Sequence, residues 1–292
     1  MSRESRRLGV QRRPQKSCLA PMPTFSAIST KLGAVVRRGL PSLRNVVFSR
    51  LGIWPVRSLA DHWVADIPMF CINLSRDTTR RALVQQQVDK MGLRRFEFID
   101  AVDARELSME EVRRDGRYDS AACRAFHPRD LTLNEIACSL SHAAAYERVV
   151  AEGHPWALIL EDDVLFRSQR IARLQRKDIP DGIDIVFFNA FIDTIPPNDR
   201  VAGMIFGDTS YHGSAAAYLV SLSTAKRLLA AAVPVVHAAD GLLGRVLSLP
   251  VGQSHAFRQQ GVSLSLNAVI VYPEAVTNGS VEHYHSSAIR TK

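Results

Sequence analysis

The first apolar pattern along the chain lies between residues 67 and 100. Residues 67–74 form a short apolar run closed by polar residues, as in a buried strand. From Arg80 to Met91 the apolar side chains recur at helical spacing, and Gly92 follows at a position where helices commonly end. A second strand is predicted at residues 96–100. A strand, a helix and a strand within about thirty residues are typical of a βαβ crossover.

The next pattern begins after an Arg-rich polar stretch at residues 113–129, which we interpret as a long surface loop. Thr132 and Glu135 have the spacing of a helix capping box, and an apolar face continues from there towards Gly153. A continuous apolar strand is predicted at residues 156–160. Further strands are predicted at 183–189, 215–221 and 268–272, and a helix at 223–232. This alternation indicates an α/β fold with a mostly parallel mixed sheet flanked by helices on both faces.

The charge is unevenly divided along the 292 residues. The whole chain carries a formal +8, but residues 1–60 hold twelve Lys and Arg against Glu4 alone, a net +11 that leaves −3 for residues 61–292. We therefore predict a basic, poorly ordered extension at residues 1–64, a globular domain at 65–276 and a polar tail at 277–292. Residues 1–60 would be attracted to an anionic membrane surface, although a solvated extension without a function is the alternative.

Cysteine spacing and hydropathy argue against several protein classes. Cys18, Cys71, Cys123 and Cys138 are widely spaced and contain no CxxC pair, which argues against a zinc knuckle or a disulfide framework and fits a reducing compartment. No stretch approaches the ~20 apolar residues needed to span a bilayer, and the N-terminus lacks a signal-peptide pattern. We expect a cytoplasmic protein that can associate peripherally with the inner face of the cytoplasmic membrane.

The sharpest chemical signal is the acidic triplet Glu161-Asp162-Asp163, which directly follows a predicted strand. Open α/β sheets bind ligands at the carboxyl ends of their strands. Three like charges repel one another unless a cation lies among them, and carboxylates that bridge Mg²⁺ or Mn²⁺ to a diphosphate would supply that cation. A solvated acidic turn is the alternative for such a triplet taken alone.

Candidate phosphate ligands follow the first strand. Asn73, Arg76 and Arg80 lie where a helix begins, and both helix N-termini and arginines suit phosphate oxygens, although they could be ordinary surface residues. His142 lies on the mostly apolar helix after Thr132, either as a functional ligand or as a core histidine. The chain contains neither GxGxxG nor GxxxxGK[ST], so neither a Rossmann dinucleotide site nor a P-loop is supported.

Taken in order, these pieces resemble glycosyltransferase family 25, which includes lipopolysaccharide β-galactosyltransferases and collagen galactosyltransferases. The resemblance covers most of residues 67–275. It is carried by the segments INLSRDTTRR (72–81), FEFIDAVDA (96–104), LTLNEIACSLSH (131–142), ALILEDDVLF (157–166) and GSAAAYLVSLSTAKRLL (213–229), followed by a lone acid at Asp240.

The resemblance implies a GT-A-type nucleotide-sugar-binding fold whose DxD-like motif holds Mn²⁺ or Mg²⁺ against the diphosphate of a UDP-sugar. Glu161 and Asp163 would be the metal ligands. The nucleotide-sugar site would be formed by Asn73, Arg76, Arg80, His142 and Asp162. Because the family inverts configuration, one carboxylate should activate the acceptor hydroxyl from the face opposite the leaving group. We assign this role to Asp240, ahead of Asp193 and Asp184.

The predicted reaction is the transfer of a hexose, galactose by resemblance, from a UDP-sugar to a lipopolysaccharide, lipooligosaccharide or other surface glycan. A metal-dependent phosphoesterase is the first alternative, although a two-metal site needs further ligands and only His283 and His285 are clustered histidines. A nucleic-acid-binding protein is the second. It is disfavoured because Phe25 and Phe48 are the only aromatic residues among residues 1–50, so we expect no specific nucleic-acid partner.

Overall fold

The computed structural model describes residues 56–189, 200–201, 204–205, 214–246, 264, 266–271 and 274–279. The strands are β1 (Met69–Asn73), β2 (Phe96–Asp100), β3 (Trp156–Glu161), β4 (Val164–Phe166), β5 (Ile185–Phe187), β6 (Arg200–Val201), β7 (Met204–Ile205), β8 (Ala217–Ser221), β9 (Ala268–Val271) and β10 (Val276–Asn278). The helices are α1 (Thr78–Met91), α2 (Met109–Arg114), α3 (Ser120–Phe126), α4 (Leu133–Glu152), α5 (Ser168–Ile171), α6 (Leu222–Ala232) and α7 (Ala239–Val246). Short 3₁₀ turns lie at Trp63–Asp66, Ala104–Glu106 and Arg176–Asp178.

Eight of these strands form one sheet in the order β2-β1-β3-β8-β5-β9-β7-β6, and β4 pairs with β10 in a separate two-stranded ribbon. β1 lies between β2 and β3 and is parallel to both. β8 is antiparallel to β3 and to β5, whereas β5 is parallel to β9. β7 is antiparallel to both β9 and β6. Of the eight described strands of this sheet, six therefore point in one direction, and only β7 and β8 point in the other. This confirms the predicted mixed, mostly parallel sheet.

The central strands β1, β3, β5 and β8 are buried almost throughout, which explains why they are continuously apolar. Successive β1 side chains point to opposite faces. Met69 and Cys71 pack in one core cluster with Val88 of α1, whereas Phe70 packs in a second cluster with Tyr146 of α4. The sheet therefore lies between helices on both faces.

Local sequence signals set the ends of the two main helices. Asp77 caps α1 by accepting from the backbone N–H of Arg80 at 3.2 Å, so α1 begins two residues earlier than the spacing of its apolar residues predicted. It ends at Gly92, whose φ of +69° favours glycine, and a Cβ there would meet the Cβ of Ala60 at 3.1 Å. The Thr132 and Glu135 capping box of α4 is confirmed.

The Arg-rich stretch at residues 113–129 is not one long loop, as the sequence predicted. It contains the end of α2 and the whole of α3, which are capped by Ser108 and Asp119 respectively. Val112 and Cys123 pack in a small cluster of their own with Val235, which lies more than a hundred residues further along the chain. This contact with a distant residue stabilises both helices. Each helix is too short for the spacing of its apolar residues to predict it from the sequence.

Residues on both sides of the predicted domain limits belong to the globular body. Leu59 and Val64, which we placed in the N-terminal extension, are 2% and 3% exposed and pack in the core. Thr277, placed in the C-terminal tail, pairs with Leu165 across the ribbon. Residues 1–55 and 280–292 lie outside the described residues. Of the helices described, none combines the length and apolarity needed to cross a bilayer.

Candidate active site

The acidic triplet lies at the carboxyl end of β3, beside the carboxyl end of β1. These strands are parallel neighbours, and Ile72 is level with Glu161. The sheet therefore brings Asn73, the last residue of β1, next to Asp162, although 89 positions separate them in the chain. The meeting follows from two features of the sheet, the shared direction of β1 and β3 and their position as neighbours.

Asp162 is a buried carboxylate held by two side chains from the β1–α1 segment. Asn73 donates from Nδ2 to one oxygen at 2.8 Å, and Arg80 donates to the other, also at 2.8 Å. Burial raises the pKa of Asp162, against the opposing effects of the Arg80 charge and the Asn73 hydrogen bond. Asp162 thereby fixes the position of the Arg80 guanidinium beside the triplet.

A second carboxylate, Asp103, holds Arg76 in the same way. Arg76 forms a salt bridge with Asp103, and Arg105 pairs with the same carboxylate at 3.0 Å. The loop that carries Asp103 is attached to α4, because Val102 donates its backbone N–H to the Ser141 hydroxyl at 2.9 Å. Sequence reasoning missed Asp103, although it lies three residues after the end of β2 within a segment that we matched to the family.

His142 projects from α4 into the same region and is 2% exposed. Its Nδ1 lies 2.7 Å from the hydroxyl of Tyr218 on β8, and that hydroxyl lies 2.9 Å from the hydroxyl of Tyr146. Its Nε2 lies 3.4 Å from Oε1 of Glu161. Two buried tyrosines therefore fix the imidazole, and its second nitrogen is directed at the triplet. No local pattern indicated Tyr218, because its contact with α4 depends on the pairing of β8 with β3.

Cys138 lies one helical turn before His142. Its Sγ, a ring nitrogen of His142 and a carboxylate oxygen of Glu161 all lie within 4.8 Å of one another. The pKa of the Cys138 thiol is raised well above its ordinary value, first by burial and then by the negative charges of Glu161, Asp240, Asp163 and Asp162. Burial and these acids therefore favour the protonated thiol of Cys138.

These groups surround a cleft of about 400 Å³, within the usual size range of small-molecule sites. Six of the predicted site residues line it: Arg76, Arg80, His142, Glu161, Asp162 and Asp163. Small side chains of α4, including Ala137 and Ser141, form part of its wall. Asn73 is buried at 1% exposure and is not among the lining residues, so it contributes through its hydrogen bond to Asp162.

The three candidate general bases are placed differently. Asp240 is exposed in the first turn of α7 and accepts a hydrogen bond from the Gly241 N–H at 2.7 Å. It is not among the residues that line the cleft, although its charge contributes to the raised pKa of Cys138. Asp184 lies just before β5, and its backbone carbonyl accepts a hydrogen bond from the backbone N–H of Ser221. Ser221 pairs with Trp156, the first residue of β3, so Asp184 is level with the start of β3. It lies at the opposite end of the sheet from Glu161, which corrects our alternative assignment. Asp193 lies outside the described residues.

Comparison with known proteins identifies the family of this chain. The profile described as "Glycosyltransferase family 25 (LPS biosynthesis protein)" matches residues 66–243, more than half of the chain. The chain belongs to glycosyltransferase family 25. The matched region includes both the acidic triplet and Asp240.

Two relatives named as members of the same family come from animals. A "Glycosyltransferase 25 family member" of Aedes aegypti is 32% identical over 224 residues, covering 70% of this chain and 36% of the relative. The "Inactive glycosyltransferase 25 family member 3" of Homo sapiens is 29% identical over 177 residues, covering 56% of this chain and 28% of the relative. The chain thus spans about a third of the length of these relatives, and the family contains members named as inactive.

Among solved structures, the chain is similar to a glycosyltransferase involved in the glycosylation of the major capsid of PBCV-1. The TM-score is 0.29 at 14% sequence identity, covering 56% of this chain and 65% of the other.

Proposed function

We propose that this member of glycosyltransferase family 25 is an active, divalent-metal-dependent, inverting hexosyltransferase with a GT-A-type site. One observation carries the proposal. The acidic triplet at the end of β3 and two carboxylate-held arginines line one cleft at the carboxyl end of the sheet. This arrangement combines ligands for a cation with donors for phosphate oxygens, as a nucleoside diphosphate-sugar requires.

The donor set suits a hard divalent cation. Glu161 and Asp163 offer carboxylate oxygens from the same wall of the cleft, and Mg²⁺ and Mn²⁺ prefer oxygen ligands. Asp162 is less suited because both of its oxygens accept hydrogen bonds from Asn73 and Arg80. We therefore assign Glu161 and Asp163 as ligands. The bound ion would act as a Lewis acid on the diphosphate oxygens.

The arginines would bind the diphosphate. Arg76 and Arg80 both line the cleft beside the triplet, and the planar guanidinium group suits phosphate oxygens. His142, with its Nε2 beside Glu161, would contact the sugar or the phosphate nearest to the triplet.

In the transfer step, the oxygen of an acceptor hydroxyl bonds to the anomeric carbon as the bond from that carbon to the diphosphate breaks. UDP leaves on the opposite face, so configuration inverts. The hydroxyl proton moves to a carboxylate on the acceptor side, which we assign to Asp240. Its exposed position in the first turn of α7, with its charge acting on Cys138, is consistent with a place at the acceptor side.

We infer a UDP-hexose donor, with galactose as the first candidate, and a lipopolysaccharide, lipooligosaccharide or other surface-glycan acceptor. The family description and the resemblance of the motifs support this choice. Such an acceptor would place the protein in the cytoplasm, at the inner face of the cytoplasmic membrane. The net charge of +11 in residues 1–60 would favour that surface.

The test is to incubate the full chain with Mn²⁺ and a panel of nucleotide sugars, and to follow slow hydrolysis of the donor. We expect release of UDP from one UDP-hexose, abolished by a chelator and restored by Mn²⁺. A phosphomonoester serves as the matched control substrate. Metal-dependent hydrolysis of the phosphomonoester without hydrolysis of any nucleotide sugar would instead identify a phosphoesterase.

A further inference from the structure

Three side chains with different donor atoms converge at one end of the cleft, and the proposed reaction does not use them together. Cys138 and His142 are one helical turn apart on α4, and Glu161 ends β3. Their Sγ, imidazole nitrogen and carboxylate oxygen lie within 4.8 Å of one another. Among the described residues, this is the single group of three or more His, Cys, Asp or Glu side chains whose ligand atoms approach so closely.

The histidine in this group is oriented as a metal-ligating histidine should be. Ligating histidines usually hydrogen-bond through their second ring nitrogen, which fixes the ring and its tautomer. Here Nδ1 of His142 lies 2.7 Å from the Tyr218 hydroxyl, which Tyr146 supports in turn, while Nε2 lies 3.4 Å from Glu161. Because the tyrosines and α4 hold the ring, small movements of Cys138 and Glu161 would suffice to close the site.

The donor set differs from that of the proposed catalytic metal. Thiolate and imidazole ligands favour Zn²⁺ and similar transition ions, whereas Mg²⁺ and Mn²⁺ prefer oxygen. We infer that Cys138, His142 and Glu161 form a second, softer divalent-metal site, which takes Zn²⁺ with a water molecule in the fourth position. Three protein ligands and one open position are typical of zinc sites that remain accessible.

Binding at this site would regulate the proposed reaction, and this consequence rests on the proposed function. The thiol of Cys138 releases its proton to solvent as the sulfur bonds to the ion. Glu161 is shared between the two donor sets, so an ion bound through sulfur withdraws one carboxylate from the site for Mn²⁺. Zn²⁺ would therefore inhibit transfer even when Mn²⁺ is present.

The test uses Co²⁺ as a spectroscopic substitute for Zn²⁺ in the full chain, because a sulfur–cobalt bond gives a charge-transfer absorption that oxygen ligands do not. We expect one equivalent of Co²⁺ to produce this band and Zn²⁺ to abolish it. Cys138→Ser should lose the band and bind Zn²⁺ at least about tenfold more weakly, since even the loss of supporting contacts costs that much. Cys123→Ser is the matched control, because Cys123 is buried outside the cleft and should keep the band.

Absence of the band in the unmodified chain, or its persistence in Cys138→Ser, would overturn the inference. The readout does not depend on turnover. A chain that transfers sugar but shows no sulfur–cobalt band would retain the proposed function without this site. A chain that shows the band but turns over no nucleotide sugar would retain the site without the proposed function.

Discussion

The two ends of the central sheet each carry buried or half-buried acids, and the acids serve different purposes. At the amino end, the Asp184 carboxylate accepts from the backbone N–H of Asn267 at 2.9 Å and from the Thr224 hydroxyl at 3.2 Å. Those donors belong to the segments before β9 and at the start of α6. Asp184 therefore connects parts of the fold to one another.

At the carboxyl end, the acids of the triplet face a cleft. Asp162 accepts from Arg80, whose guanidinium also lines that cleft, and Glu161 lies beside the imidazole of His142. The difference follows from the chain direction, because Asp184 precedes its strand whereas the triplet follows its strand. In this pair of cases, the acid that precedes its strand supports the fold, whereas the acids that follow their strand face the cleft.

The largest expected loss of turnover comes from replacing an acid at the carboxyl end of the sheet. Asp163→Ala removes a proposed metal ligand, so Mn²⁺-dependent turnover should fall by at least about 10³-fold, consistent with the several kcal/mol that a Lewis-acid ion supplies. The midpoint of thermal unfolding should change little, because the variant also removes one of three mutually repelling charges. Steady-state rates and a thermal melt measure the two effects. Near-normal turnover would mean that Asp163 is not a metal ligand.

Asp240→Asn should separate binding from chemistry. The amide keeps the shape of the side chain but cannot take a proton, so transfer should fall by about 10² to 10⁴ while UDP-sugar affinity stays within about twofold. One titration and one rate measurement distinguish the effects. Lost donor affinity would place Asp240 in the nucleotide or metal site, and unchanged transfer would move the base to Asp193.

Asp184→Ala should lower stability and leave turnover nearly unchanged, which is the reverse of the result expected for Asp163→Ala. It leaves the Asn267 N–H without its acceptor and removes one of the two partners of the Thr224 hydroxyl, so the free energy of unfolding should fall by about 1–3 kcal/mol. Turnover at a temperature where the variant is folded should stay within about twofold. Denaturant unfolding measures the first quantity. A large loss of turnover with unchanged stability would contradict the contrast between the two ends of the sheet.

The smallest effect on turnover is expected from removal of the basic N-terminal residues. The cut belongs after residue 55, because Leu59 packs in the core and a longer deletion would damage the body. Transfer to a soluble acceptor should be unchanged, while binding to anionic vesicles at low salt should weaken, since basic residues contribute about 1 kcal/mol each near such a surface. Equal vesicle binding by both chains would exclude a membrane role for this segment.

Much of the fold could be predicted from local patterns. The strands β1 and β3 are continuous apolar runs, and the helices α1 and α4 have apolar residues at helical spacing and recognisable ends. The short helices α2 and α3 could not, since six and seven residues give too few repeats and their packing depends on the distant Val235. The reversed direction of β8 also has no local signature. It arises from pairing with β3 and β5.

The same division applies to the candidate site. The acidic triplet could be placed at the carboxyl edge of the sheet because that location needs only the direction of one strand. The arginines could be placed after the first strand, and the family resemblance put them in the same site. Asp103 and Tyr218 could not be found in this way, because each acts through a partner on another element, Arg76 and His142 respectively. Supporting residues of this kind become visible only when tertiary contacts are known.

The two carboxylate-held arginines also bear on the entropy of ligand binding. A free arginine side chain samples many rotamers, and restraining a rotamer-rich side chain on binding costs about 0.5–1.5 kcal/mol. Arg76 is restrained by Asp103, whose loop is tied to Ser141 of α4, and Arg80 is restrained by Asp162. Folding has therefore already narrowed the rotamers of both side chains, so the diphosphate of the proposed donor would meet guanidinium groups that need little further ordering.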